Sequence, residues 1–147
     1  MNITEIPFNH FMGIRKTEGD GPYLLELDDL PAYRNHMNTI HAAAQLALAE
    51  ASSAEYLLRT FKNVDADVRV VVRRVQAKFK NLVKGKIFSK AFTPPEEIER
   101  FSEVFGSKGM AIIGVRVDIV NSESLVAMSS LIEWFIQKPK KTGALSA

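Results

Sequence analysis

A long helical stretch constrains the fold of this chain more than any other feature. Residues 39–61 are rich in alanine and contain neither glycine nor proline. Because alanine is the strongest helix former, the stretch predicts a long helix, with Asn38 or Thr39 as its N-terminal cap. Residues at helical spacing form one small, apolar face, and Glu50 lies in its middle. The apolar members of that face are Ala43, Leu46, Ala47, Ala54, Leu57 and Phe61.

Alternating apolar and polar residues predict strands on both sides of this helix. The first thirty residues have an extended pattern, interrupted by a Gly/Pro-rich turn at 19–22, and residues 31–38 are predicted as a loop. The last strand is apolar on both parities, which is typical of a strand that is covered on both faces. The predicted strands cover residues 12–18, 23–30, 67–79, 86–92, 111–119 and 125–136.

Two local signals refine this pattern. The alternation changes phase at Arg73-Arg74, which predicts a β-bulge inside one long strand. Thr93 and Glu96 form a capping-box pattern with Pro94 at the first helical position, which predicts a short helix that ends at Gly106.

One long helix with an antiparallel sheet is an α+β arrangement. The chain has 147 residues, which suits one domain, and we assign that domain to residues 1–137. Residues 138–147 are basic and small, and are predicted to form a flexible tail.

Composition excludes several classes of site. The chain has no cysteine, which rules out a disulfide scaffold, a thiolate metal site and a cysteine nucleophile. Its net charge of +2 gives no argument for a nucleic-acid partner. No apolar stretch is long enough to span a membrane and no secretory signal is present, so we expect a cytoplasmic protein. Its three histidines show no metal-ligand spacing, and we expect neither a metal nor a resident cofactor.

The position of Glu50 has two interpretations. An unpaired carboxylate on an apolar face is costly to bury and has a raised pKa, as catalytic carboxylates often do. Alternatively, Glu50 pairs with an Arg or Lys in the core, or faces a subunit interface. The sequence alone leaves both open.

The start of the same helix offers a second candidate group. The free N–H groups of a first helical turn can stabilise a developing oxyanion, and His41, Ala42 and Ala43 occupy that turn. Ala43 and Glu50 are about 10 Å apart along the helix axis. An elongated ligand along the helix could therefore meet both groups.

These residues carry a family resemblance. Residues 35–44 (NHMNTIHAAA), followed by Glu50 nine positions after His41, resemble the loop and central helix of hotdog-fold acyl-CoA thioesterases. The resemblance is greatest to an uncharacterised branch near the phenylacetate-pathway and 4-hydroxybenzoyl-CoA thioesterases, and it covers most of the chain. Asn38 replaces the family's usual Gly before Thr, and Ala42-Ala43 replaces its Gly-Gly after His.

The resemblance implies a hotdog fold, an antiparallel sheet wrapped around one long central helix. It also implies that Glu50 is the general base or nucleophile towards a thioester carbonyl. The amide N–H of Ala42 or Ala43 would polarise the carbonyl oxygen, while Asn35 and His41 would position the thioester or the attacking water. Family sites form between two protomers, so a homodimer or a dimer of dimers is expected.

A basic stretch suits the coenzyme A part of such a substrate. Arg74 and Lys78 belong to a run of cations between residues 73 and 86 that could meet nucleotide phosphates at the pocket mouth. The alternative is a solvated strand face with protective lysines. No aromatic platform for nucleic-acid stacking accompanies this run.

Three functions follow as hypotheses. The first is an acyl-CoA thioesterase that uses Glu50. The second is a hotdog hydratase or dehydratase that uses an acid–base pair, with His41 as one member. The third is a non-catalytic acyl-CoA-binding module. No nucleophile elbow, P-loop or dinucleotide fingerprint supports other enzyme classes.

Overall fold

The computed structural model describes residues 1–62 and 67–140. These residues contain three α-helices: α1 (Pro7–Phe11), α2 (Ala42–Thr60) and α3 (Pro95–Lys108). They also contain six strands: β1 (Arg15–Lys16), β2 (Leu25–Leu27), β3 (Arg69–Phe79), β4 (Ile87–Phe92), β5 (Met110–Asn121) and β6 (Val126–Gln137). Most of the predicted tail, residues 141–147, lies outside the described residues.

The six strands form one antiparallel sheet in the order β1-β2-β4-β5-β6-β3. Helix α2 packs on one face of this sheet, against β2, β4, β5 and β6. The contact buries Leu48, Ala49 and Ala51 of α2 completely. The predicted α+β hotdog fold, with its sheet around one long helix, is confirmed. In the part of the chain that the structure describes, no helix is both long and apolar enough to cross a membrane.

Helix α2 begins later than predicted. His41, rather than Asn38 or Thr39, is its N-cap, and the side chain of His41 accepts a hydrogen bond from the N–H of Ala43. The helix starts later because the preceding residues already form other backbone hydrogen bonds. The N–H of Ile40 donates to the carbonyl of Val83, and the N–H of His41 donates to the carbonyl of Tyr33. These contacts fix the chain as it enters the helix.

The predicted bulge in β3 is confirmed, because the register with β6 shifts between Val72 and Arg74. As a result, apolar side chains from both sides of the bulge point towards the face of the sheet on which α2 lies. These residues are Val70, Val72, Val75, Ala77 and Phe79. β3 is an edge strand beside β6. Val75 and Phe79 remain 45% and 48% exposed although they face the helix side. Within the described residues, this end of the sheet is an uncovered apolar edge.

The start and end of α3 differ from the prediction. The hydroxyl of Thr93 does not cap the helix but donates to the carbonyl of Gly114 at 2.8 Å. This carbonyl is available because β4 pairs with β5 only as far as Phe92 and Arg116. The helix continues through Gly106 and ends at Lys108, where Gly109 takes a left-handed backbone conformation with φ +70°. A glycine adopts that conformation without steric cost.

The amino-terminal region is less extended than predicted. Ile3–Glu5 forms a short 3-10 helix, which contacts α2, and α1 follows it. The predicted strands at 12–18 and 23–30 shrink to β1 and β2. Pro7 occupies the first turn of α1, a position where its missing N–H costs nothing. Alternation over a few residues could not reveal these short helices.

The two long strands β5 and β6 follow the prediction. On the helix side of the sheet their residues are fully buried, including Val115, Ile119, Met128 and Ile132. The opposite side of β6 is only half-buried, at Leu131, Glu133 and Phe135. The expectation that β6 is covered on both faces is therefore wrong for a single chain.

Candidate active site

Glu50 lines a cavity of about 560 Å³ between α2, the amino-terminal segment and the ends of β3 and β6. The α2 residues that line the cavity run from Glu50 towards Phe61, about 16 Å along the helix axis at 1.5 Å per residue. Most of the remaining lining is apolar and comes from Ile3, Ile6, Val68, Val70, Trp134 and Ile136. The cavity therefore combines a carboxylate with a long apolar interior.

The Glu50 carboxylate has no ion-pair partner among the described residues. Its burial in the cavity raises the pKa of the Glu50 carboxyl above the ordinary value. Glu55, five residues further on, is more deeply buried but is paired with Arg59 at 2.8 Å and Lys16 at 3.4 Å. The core ion-pair interpretation therefore applies to Glu55, while Glu50 has no such partner within residues 1–62 and 67–140 and lines a cavity.

The helix face that carries Glu50 is not the most buried side of α2. The fully buried side of α2 includes Ala44, Leu48 and Ser52. Ala43 is exposed and Leu46 and Ala47 are half-buried, although they share the face of Glu50. This face thus forms an apolar strip that leads from the helix amino terminus to the cavity.

Asn35 organises the turn before α2. Its Oδ1 accepts hydrogen bonds from the N–H groups of Met37 and Thr39 at 3.0 and 3.1 Å, and its Nδ2 donates to the hydroxyl of Thr39 at 2.9 Å. Asn38 has a left-handed conformation with φ +58°, which Asn tolerates better than most residues. Asn38 therefore adopts a backbone conformation that is also open to glycine, at the position where the resemblance predicts a Gly.

His41 has a defined tautomer. Its Nδ1 accepts the hydrogen bond from the N–H of Ala43 at 2.9 Å, so in the neutral ring the proton is on Nε2. The exposed Nε2–H of His41 can donate to a ligand. The ring has no second basic nitrogen free to remove a proton, which argues against His41 as the base of a hydratase.

The same bond distinguishes the two candidate oxyanion donors. The N–H of Ala43 is occupied by His41, whereas that of Ala42 has no acceptor among the described residues. Ala42 is the first residue of α2, where the helix dipole adds positive potential. Ala42 and Glu50 are separated by about 12 Å along the axis. Within one chain, the structure does not bring the two groups together.

Arg74 and Lys78 lie away from the Glu50 cavity. Both pair with outer-face residues of β6, Arg74 with Glu133 and Lys78 with Ser129, on the side of the sheet opposite α2. Lys78 lines a separate outer-face depression of about 630 Å³ together with Lys90 and Arg116. Their assignment to the phosphates of coenzyme A stays a prediction.

Among the cavity residues that sequence reasoning missed, two are buried and carry polar groups, namely Asn9 and Trp134. Trp134 is 6% exposed, and its indole N–H donates to the hydroxyl of Ser53 at 2.9 Å. Asn9 is 3% exposed and comes from α1, which was predicted to be extended. Trp134 could have been found from the sequence, because it is the single tryptophan and lies at an inward position of a long predicted strand. No sequence pattern places Asn9 next to α2.

Structures of other proteins share this fold. The Pseudomonas aeruginosa protein PA5026, described as a "Probable Thioesterase" of unknown function, is 22% identical with a TM-score of 0.74, and the match covers 92% of this chain and 90% of that one. Thioesterase HI1161 from Haemophilus influenzae is 14% identical with a TM-score of 0.69, covering 96% and 90%. BH2602 from Bacillus halodurans, solved with CoA, is 11% identical with a TM-score of 0.65, covering 88% and 74%.

Sequence comparison gives the family. No curated protein sequence matches the chain. The protein family described as "Putative thioesterase (yiiD_Cterm)" matches residues 2–130. Because this match spans most of the chain, the protein belongs to the family described as "Putative thioesterase (yiiD_Cterm)".

Proposed function

We propose that this protein hydrolyses acyl-CoA thioesters with Glu50 as the general base. The observation that carries the proposal is the Glu50 carboxyl, which has no ion-pair partner in the described part of the chain, has a pKa raised by burial and lines a largely apolar cavity. A carboxylate of raised pKa is a stronger base near neutral pH than an ordinary one. BH2602, which shares the fold, was solved with CoA, and this supports the choice of thioester.

In the proposed reaction, Glu50 removes a proton from a water molecule as its oxygen attacks the thioester carbonyl carbon. The negative charge on the carbonyl oxygen is stabilised by the amide N–H of Ala42 at the start of α2. The carbon–sulfur bond then breaks, and Glu50 passes the proton that it took from water to the sulfur. Coenzyme A therefore leaves as a thiol. The products are a carboxylic acid and free coenzyme A.

His41 and Asn35 act as positioning groups in this scheme. The Nε2–H of His41 points away from the bond that the ring makes to Ala43, and can donate to the substrate. Asn35 uses its Oδ1 to hold the turn, which leaves one Nδ2 hydrogen for the thioester or the water.

The site requires two protomers. Reacting groups must approach within about 3–3.5 Å of the atoms on which they act. The separation of about 12 Å between Ala42 and Glu50 along one helix is too large for both to act on one carbonyl. We therefore place Glu50 of one protomer opposite the start of α2 of its partner in a homodimer.

The β3 edge supplies a surface for this dimer. The outward side of its backbone has no strand partner in the described residues, and Val75 and Phe79 expose apolar surface on the helix side. Pairing two such edges would cover these side chains and extend the sheet. It would also bring the second protomer to the open side of the Glu50 cavity, which Val70 of β3 lines.

The direct test is release of free thiol from acyl-CoA esters. Since the chain has no cysteine, a thiol-reactive dye reports only coenzyme A. We expect release well above the buffer rate from at least one member of a panel that includes acetyl, decanoyl, palmitoyl and benzoyl esters. Absence of release from the whole panel would contradict the proposal. Binding without release would support the non-catalytic module, and hydration of an enoyl ester would support the hydratase.

A further inference from the structure

Asn9 places a neutral polar group in the largely apolar lining of the Glu50 cavity. It is 3% exposed and lines this cavity, alongside Ile3 and Ile6 of the same segment. Its Nδ2 donates to the carbonyl of Ile3 at 3.0 Å. This bond fixes the orientation of the carboxamide, because a rotated amide would place its oxygen against the carbonyl of Ile3.

The Oδ1 atom of Asn9 has no hydrogen-bond partner among the described residues. Of the fully enclosed side-chain polar atoms in this part of the chain, only Gln45 Oε1 lacks a partner. The Oδ1 of Asn9 is therefore not fully enclosed. Because Asn9 lines the cavity, we place this oxygen towards the cavity interior. It is an acceptor held in place and left open to a ligand.

The other polar groups of the lining are already committed or charged. The indole N–H of Trp134 donates to Ser53. Glu50 is assigned to the reaction, and Lys62 is exposed beyond the end of α2. Asn9 is thus the one neutral polar side chain in the described lining that can accept a bond from a bound acyl group.

An acyl chain that fills the cavity displaces the water around this oxygen. A plain hydrocarbon would leave the Oδ1 unpaired, and a buried acceptor without a partner weakens binding. A hydroxyl on the chain would donate to Oδ1 and restore the bond. An ammonium group could also donate, but its burial in an apolar cavity is far more costly.

We propose that Asn9 is a specificity residue that selects aliphatic acyl groups carrying a hydroxyl. The length of the α2 lining, from Glu50 to Phe61, suits a medium-length chain rather than a single ring. This inference rests on the proposed function, which places the acyl group of the substrate in the Glu50 cavity. Asn9 takes no part in the hydrolysis of the thioester.

The test measures binding of non-hydrolysable CoA thioethers by calorimetry. S-decyl-CoA is compared with two hydroxylated isomers, one with the hydroxyl near the sulfur and one with it at the far end. We expect the wild type to bind one isomer about tenfold more tightly than S-decyl-CoA, the effect of satisfying one buried acceptor. Asn9→Leu removes the acceptor and is expected to abolish this preference.

A second variant separates specificity from folding. Asn9→Asp keeps an oxygen acceptor, but its ionised carboxylate cannot donate to the carbonyl of Ile3. We therefore expect it to lose the bond to Ile3 and to retain the preference for the hydroxylated thioether. If Asn9 only held Ile3 in place, the wild type would bind the three thioethers equally. Both variants would then bind all three thioethers more weakly, and to the same extent. Equal binding of the three thioethers to the wild type, or binding of none, overturns the inference.

The outcome is independent of turnover. A hydroxyl preference without thiol release would contradict the proposed hydrolysis and leave the role of Asn9 standing. Thiol release without a hydroxyl preference would contradict the role of Asn9 alone.

Discussion

The Glu50→Gln variant is expected to lose about 10²–10⁴-fold in kcat, the usual contribution of a general base. Glutamine preserves the size of the side chain and its fit in the cavity but cannot accept the proton of the attacking water. The acyl-CoA should still bind, so KM should change little. Thiol release under saturating and limiting substrate separates the two parameters.

The same variant should be more stable than the wild type at neutral pH. Burial raises the pKa of the Glu50 carboxyl, so the unfolded chain loses this proton at lower pH than the folded chain. The stability of the wild type therefore falls as the pH rises from about 4.3, the ordinary pKa of Glu, through the raised pKa of Glu50 in the folded protein. Below this window the two proteins should have similar Tm values, and above it Glu50→Gln should have the higher Tm.

Glu55→Gln is the matched control. Glu55 lies on the same helix, five residues away, but its carboxylate accepts a hydrogen bond from Arg59 and pairs with Lys16. Its replacement should cost about 1–3 kcal/mol of stability through these lost charged contacts, with kcat preserved. If both variants lost stability and kept activity, Glu50 would be a structural carboxylate and the catalytic assignment would be wrong.

Val75→Glu should convert the protein to a monomer and remove most of its activity. Val75 is 45% exposed on the helix side of the edge strand β3, where the proposed dimer would cover it. A carboxylate buried there without a partner opposes association. Because each site needs Glu50 and Ala42 from different protomers, we expect thiol release to fall by at least about 10²-fold, as for loss of one oxyanion donor.

Val71→Glu provides the comparison for this change. Val71 lies on the same strand and pairs with Phe135, so its side chain is on the opposite face of the sheet, and it is 39% exposed. It introduces the same charge on the same strand and should leave both mass and activity unchanged. Sedimentation measures the mass, and circular dichroism checks that the monomer remains folded. A fully active monomeric Val75→Glu would contradict the two-protomer site.

The elements that sequence could predict are those with long, regular patterns. Helix α2 and strands β5 and β6 each repeat one period over many residues, and the phase change at Arg73-Arg74 identified the bulge. Short elements escaped, because the pattern of α1 is no longer than one turn and a half. Thr93 matched a capping box, but its hydroxyl bonds to Gly114, a tertiary contact that no local pattern contains.

The candidate site was predictable where its residues share one helix. Glu50, His41 and Ala42 lie at fixed spacing along α2, so their relation follows from helix geometry. The choice between Ala42 and Ala43 depended on a side-chain rotamer of His41, which no spacing reveals. Asn9 reaches the cavity only because the amino-terminal segment folds over α2.

A mixed dimer tests the central claim most directly. Ala42→Pro removes the amide N–H and leaves the backbone path unchanged, because proline fits the first helical position and His41 already has the extended backbone, with ψ 141°, that precedes proline. A dimer of one Glu50→Gln chain and one Ala42→Pro chain, co-expressed with different tags and purified through both, contains one intact shared site. We predict about half of the wild-type rate of thiol release from this dimer, while both parent homodimers are nearly inactive. A mixed dimer as inactive as its parents would show that each site lies within one chain and would contradict the account.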